Sequence, residues 1–150
     1  MRIALASDHA GFDLKRAVMA ELAAQGIEHR DFGVAVDERS DYIDYGAAAA
    51  AALSRGEFDL AILVCGTGLG MAIVANKFKG VRATPCWDEY TVEMSRKHND
   101  ANCLTLGGRT LSIERSLALV RLWLATPFEG GRHAARVQKI RDLEDRQFRS

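Results

Sequence analysis

The sequence predicts an α/β fold: a single doubly wound, five-stranded parallel sheet in the order 2-1-3-4-5, with helices on both faces and an extra C-terminal helix. Three observations predict it. Short apolar, β-branched runs alternate with stretches of helical periodicity along the chain. The run Leu60–Cys65 is apolar at every position, as a strand covered on both faces must be. A chain of 150 residues, 48% hydrophobic and 27% charged, is enough for one core and short for two, so residues 1–150 read as one Rossmann-like domain.

Each element follows in order. Residues 2–7 read as the first strand and residues 8–11 as the turn after it. Residues 12–25 carry Phe12, Leu14, Ala17, Val18 and Leu22 at near-helical spacing, with Gly26 as the stop. A weaker second strand at 27–32 leads into a polar loop at 33–41 and an alanine-rich helix at 42–53. The third strand, 60–65, precedes a helix at 68–77, and a short fourth strand follows at 81–84. A helix at 88–97, a fifth strand at 101–106 and a strongly apolar helix at 112–124 come next. That last helix looks more apolar than one small core needs, which points to an oligomer. A break at 126–131 precedes a charged helix at 132–147.

Composition excludes several classes. Lys+Arg 20 balance Asp+Glu 20, so no global field invites nucleic acid or an acidic membrane surface. The longest uncharged stretch, between Asp59 and Lys77, contains Gly66, Gly68, Gly70 and Asn76 and reads as strand, loop and helix rather than a membrane span. Cys65, Cys86 and Cys103 are odd in number and show no C-x-x-C, and no secretory leader is recognisable, so a reducing cytoplasm is expected. His9, His29, His98 and His133 are scattered without His-x3-His, so neither a metal nor another cofactor is expected.

In the predicted order the switch point falls between strands one and three, where ligands bind beyond the strands' carboxyl ends. The two loops there are the chemically richest in the chain. Cys65-Gly66-Thr67-Gly68-Leu69-Gly70 exposes backbone N–H groups that suit a phosphate or a developing oxyanion. Known templates fail. The dinucleotide fingerprint needs Gly where Met71 stands, Walker A needs its Lys, and a Cys-x5-Arg phosphatase loop would need Arg at that same Met71. Cys65 stands beside this N–H cluster, where a thiolate could serve as base or nucleophile, although a buried structural cysteine is the alternative. Asp8-His9, across the switch point, is an acid–imidazole pair able to move protons or grip a phosphate. Arg132 and Arg136, four apart on the last helix, make a fork for a phosphate, and Arg109 after Gly107-Gly108 is a third candidate. A solvated charged face is the plainer reading of Arg132 and Arg136, but Gly130-Gly131 just before them lets a ligand approach the helix start and tips the balance to the fork.

Together these residues resemble the type B ribose-5-phosphate isomerases, whose family includes allose- and galactose-6-phosphate isomerases. The resemblance runs nearly end to end. It rests on Ser7-Asp8-His9-Ala10-Gly11, Asp41-Tyr42, Cys65-Gly66-Thr67-Gly68-x-Gly70, Ala75-Asn76-Lys77, Arg96-Lys97-His98-Asn99-Asp100 and Glu129-Gly130-Gly131-Arg132-His133. It implies a metal-free aldose–ketose isomerase of the pentose phosphate pathway, acting on ribose 5-phosphate through an enediolate. By the same resemblance Cys65 is the base, and the amides of Gly66, Thr67, Gly68, Leu69 and Gly70, with the Thr67 side chain, hold the enediolate oxygens. His98 assists ring opening; Asp8, Tyr42 and Asn99 bind sugar hydroxyls; His9, Arg109, Arg132 and Arg136 bind the phosphate. One branch of the family places a glutamate base just past the last loop glycine. Met71 stands there in this chain, so it is similar to the cysteine branch. Ile43 departs from the Pro that many members carry after Asp-Tyr, which bears on that loop's rigidity.

One expectation comes from geometry alone. His98-Asn99 lie between a helix and strand five, hence at the amino edge of the sheet, about 15–20 Å from Cys65 at the carboxyl edge. One chain then cannot bring both to one sugar, so if His98 acts as the resemblance implies, a homodimer or dimer of dimers with shared sites is expected. Competing readings are a six-carbon sugar phosphate as substrate, a non-catalytic partner subunit and a nucleotide-binding module.

Overall fold

The computed structural model describes residues 1–148. Five parallel strands form one sheet: β1 (Arg2–Ser7), β2 (Glu28–Asp31), β3 (Leu60–Cys65), β4 (Ala83–Pro85) and β5 (Cys103–Gly107). Six α-helices accompany them: α1 (Phe12–Ala24), α2 (Tyr42–Ser54), α3 (Leu69–Ala75), α4 (Glu89–Lys97), α5 (Ile113–Ala125) and α6 (Arg132–Gln147). Among the described residues no helix is long and apolar enough to cross a membrane.

The strand order is β2-β1-β3-β5-β4, so the expected order is corrected at its last two places. The reason is local. β5 is buried at every position and suits a place beside β3, whereas β4 has three residues and ends in Pro85, which has no N–H to give a second neighbour. Asparagine side chains secure this short strand. Asn76 Oδ1 accepts from the Ala83 N–H at 2.8 Å and its Nδ2 donates to the Ala83 carbonyl at 2.9 Å. Asn102 accepts from the Arg82 N–H at 2.7 Å just before the strand. The swap matters for function, because it sets the loop after β5 directly beside the loop after β3.

Side-chain alternation along each strand builds two cores. Ile3, Leu5, Ile62, Val64, Leu104 and Leu106 pack with Leu14, Val18 and Leu22 of α1 and Leu119, Val120 and Trp123 of α5. On the opposite face Ala4, Ala6, Ala61, Leu63 and Cys65 meet Ala49, Ala50 and Leu53 of α2 and Met71 and Ala75 of α3. The alanine run thus lets α2 lie close against small strand residues. α5 buries Ser116, Leu119, Val120 and Trp123, and packs Leu117, Leu122 and Leu124 against the core. Its apolar residues therefore serve this chain's own core. Exposed large apolar side chains lie mainly elsewhere, on α3 (Leu69, Ile73), α6 (Ile140, Leu143) and the segment at Trp87 and Tyr90, with Ile113 at the start of α5 the exception on that helix.

Candidate active site

Three loops converge at the carboxyl edge of the sheet, and their glycines are what allow it. A Cβ on Gly11 would stand 2.5 Å from the Val64 carbonyl oxygen, and one on Gly108 would stand 2.4 Å from the Ala10 carbonyl oxygen. The Gly108 N–H donates to the Cys65 carbonyl at 2.8 Å and the Arg109 N–H to the Gly66 carbonyl at 3.0 Å. Gly68 sits at φ 82, a left-handed conformation, against the backbone of Leu106. Side chains carried by the turns after β1, β3 and β5 are thereby fixed within one neighbourhood.

Cys65 ends β3 and is buried, and the Gly68 N–H donates to its Sγ at 3.2 Å. Thr67 is exposed, and its Oγ1 accepts from the Leu69 N–H at 3.2 Å, which leaves the hydroxyl proton to be donated outward. Gly70 is pressed against the Tyr42 ring, where an added Cβ would stand 2.6 Å from Cε2. Tyr42 itself begins α2 behind Asp41, whose carboxylate caps the helix by accepting from the Ile43 N–H. Asp8, only 6% exposed, accepts from the Gly11 N–H at 3.1 Å. His9 is tied twice to Ser40: its N–H donates to Ser40 Oγ at 3.0 Å, and its Nδ1 faces the Ser40 N–H at 3.2 Å. That contact assigns the neutral ring's proton to Nε2, which is then a donor. The Arg109 side chain lies over Gly66, with Cδ 3.5 Å from the position of a Gly66 Cβ.

Desolvation pushes the Cys86 and Cys103 thiols up and keeps them protonated, as suits core residues.

The remaining predicted residues lie at the other edge. His98 is the C-cap of α4, and the strand it leads into begins at Cys103. Cys65 pairs with Gly107, at the far end of that strand, so the sheet separates the two by about 13 Å of strand rise or more. Asn99 follows in a turn closed by Arg82, whose guanidinium donates to the carbonyls of Asn99 and Asp100. Arg132 and Arg136 are both exposed on α6. The His98 and His133 rings stack with centroids 4.0 Å apart and planes 14° from parallel. His133 is buried, and desolvation first, then the charge of His98, holds its pKa below the ordinary histidine value. The structure thus forms two groups: Cys65, Thr67, Asp8, His9, Tyr42 and Arg109 at one edge, and His98, Asn99, Arg132 and Arg136 at the other.

Sequence reasoning did not foresee that Glu129 and His133 stand beside His98. Both stand in a quoted motif, yet their distance along the chain from His98 hides the contact. It also missed Ser40, for which a polar loop gives no signal. The cavities follow the same division. One of about 540 Å³ lies between α6 and the β4 side, with Asn99 and Arg82 on its wall. A smaller one, about 290 Å³, opens at the Cys65 loop between Thr67, Leu69, Trp87 and Thr110.

A doubly wound sheet whose switch-point loops gather a thiol, a glycine loop and an acid–imidazole pair is the arrangement of an α/β enzyme, with a candidate site at the strands' carboxyl ends. Comparison with known proteins makes this specific: the chain belongs to the ribose/galactose isomerase family, whose profile matches residues 3–140. It is 44% identical over 145 residues to ribose-5-phosphate isomerase B of Escherichia coli, covering 97% of each chain. A Clostridium thermocellum ribose-5-phosphate isomerase B structure superposes with a TM-score of 0.95 at 46% identity, over 98% of this chain and 99% of that one. The Mycoplasma genitalium ribose-5-phosphate isomerase B with bound ribulose 5-phosphate superposes with a TM-score of 0.93 at 36% identity, covering 96% of each.

Proposed function

We propose that this chain interconverts D-ribose 5-phosphate and D-ribulose 5-phosphate in the cytoplasm, without a metal, through an enediolate. The observation that carries the reading is the Cys65 thiol seated on the Gly68 N–H where the loops after β1, β3 and β5 meet. A thiolate there accepts a charge-assisted hydrogen bond and sits within reach of the loop that would hold the substrate oxygens. Cys65 removes the proton from C2 of the open-chain aldose and returns it to C1, while the proton of the O2 hydroxyl passes to O1 through the enediolate. The negative charge that builds on the substrate oxygen is met by the amides of the 66–70 loop and by the Thr67 hydroxyl, where stabilisation of the transition state counts most. Asp8 and Tyr42 hold sugar hydroxyls, and His9 donates from Nε2 to the phosphate beside Arg109.

His98, Asn99, Arg132 and Arg136 complete the site from a second copy of the chain. The separation of the two groups across the sheet supports this, as do the exposed Leu69 and Ile73 beside the Cys65 loop. A two-fold axis would build two such sites at once. His98 then opens the sugar ring, and the paired arginines grip the phosphate.

The test is isomerase activity of the purified chain on ribose 5-phosphate in EDTA, beside a Cys65→Ala variant. Activity that survives the chelator and falls by about 10²-fold or more in the variant supports the proposal. Full activity without Cys65 removes it as the base. Turnover of six-carbon sugar phosphates alone would reassign the substrate.

A further inference from the structure

The donor atoms of His98, Glu129 and His133 lie within 4.8 Å of one another, although two segments far apart in the chain supply them. His98 caps α4, Glu129 belongs to the turn before α6, and His133 is in the first turn of that helix. The cluster is braced: the Glu129 N–H donates to the Lys97 carbonyl at 3.2 Å, and the His133 N–H donates to the Gly130 carbonyl at 3.0 Å. The side chain of His133 is 5% exposed and that of Glu129 is 52% exposed, so one donor is fixed and another is free to swing.

We propose that His98, Glu129 and His133 form a binding site for a divalent transition metal such as Zn²⁺, and that the bound metal reversibly inhibits the enzyme by occupying His98. Two imidazoles and a carboxylate are a common zinc donor set with a fourth position left for water, and nitrogen ligands favour Zn, Co, Ni or Cu over Mg or Ca. Metal–ligand bonds of about 2.0–2.1 Å place tetrahedral donors about 3.3 Å apart. Closure to that spacing needs a swing of Glu129 and a turn of the half-buried His98 ring out of its stack, with His133 in place. The metal also displaces Arg132, whose Nε approaches His133 Nε2 at 3.5 Å. The positive charges of Arg132 and Arg136 make the site exchangeable rather than structural. The metal is thus an inhibitor and no part of the reaction. The inhibitory half rests on the isomerase reading; the binding half does not.

Cobalt(II) and zinc titrations of the full chain, in thiol- and phosphate-free buffer, test both halves. The expected result is one cobalt per chain, with visible d–d absorption, no sulfur-to-cobalt charge-transfer band, and displacement by zinc. Glu129→Gln weakens binding by about tenfold or more and raises the zinc concentration for half-inhibition in step, while activity in EDTA stays at the wild-type level. Cys65→Ala keeps the cobalt spectrum. Absence of cobalt binding, a cobalt band lost in Cys65→Ala, or affinity untouched by both Glu129→Gln and His133→Gln overturns the site. Binding at the cluster with no loss of activity overturns the inhibitory role. A chain inactive on every sugar phosphate that still shows the band keeps the site and rejects the isomerase reading.

Discussion

Gly11, Gly68 and Gly108 allow three loops to occupy one neighbourhood, and each does so through a backbone contact that no side chain fits. Gly108→Ala is the sharpest probe, because its Cβ would meet the Ala10 carbonyl oxygen rather than a movable side chain. The expected loss is about 1–3 kcal/mol of stability in urea titration. A fall in kcat should accompany it as the Asp8–His9 turn moves off the Cys65 loop. A variant with unchanged stability and kcat would show that the turns do not depend on this contact. At this scale much was legible in the sequence. The triple-glycine loop and Asp8-His9 mark the carboxyl edge by type and position alone. The association of His98 with His133 and Glu129 was not legible, since only the packing of α6 against the end of α4 brings them together. The Ser40 bond to His9 was equally hidden, because a serine in a polar loop has no periodicity to betray it.

Among the elements, the helices and central strands were legible to within a few residues, whereas the order of the last two strands was not. Pro85 and the brevity of the run carried the missing signal: a strand that ends in proline belongs at an edge. α5 is more apolar than one small core would need, yet its Trp123 and Leu119 sit wholly inside this chain. β4 relies on Asn76, so Asn76→Ala should cost about 1–3 kcal/mol, measured by urea unfolding, because both Ala83 backbone groups lose their partner. α1 and α5 are joined by Glu21 and Arg121, whose guanidinium, with help from Gln25, lowers the Glu21 pKa from 4.5 to about 2. A depressed carboxyl stabilises the fold above its unfolded value, so this contribution is lost as pH falls from about 4.5 toward 2. Glu21→Gln should flatten that part of the acid-unfolding curve, and salt should flatten it in the wild type, because the pair is exposed. An identical acid limb in both proteins would count against the coupling.

For the whole molecule, the decisive feature is that one chain holds the two groups of residues assigned to the proposed site at opposite edges of its sheet. The sequence alone implied this, since the loop before a parallel strand and the loop after one are at opposite ends. It could not show which surface would close the gap in a shared site; the proposal assigns that role to the face of α3 that exposes Leu69 and Ile73. The most direct test is subunit complementation. Cys65→Ala and His98→Ala chains, each impaired alone, are mixed and allowed to exchange. In a two-fold dimer with shared sites every hybrid regains one intact site, so an equimolar mixture should recover about a quarter of wild-type activity. No recovery after subunit exchange has been verified by mass would contradict the shared site.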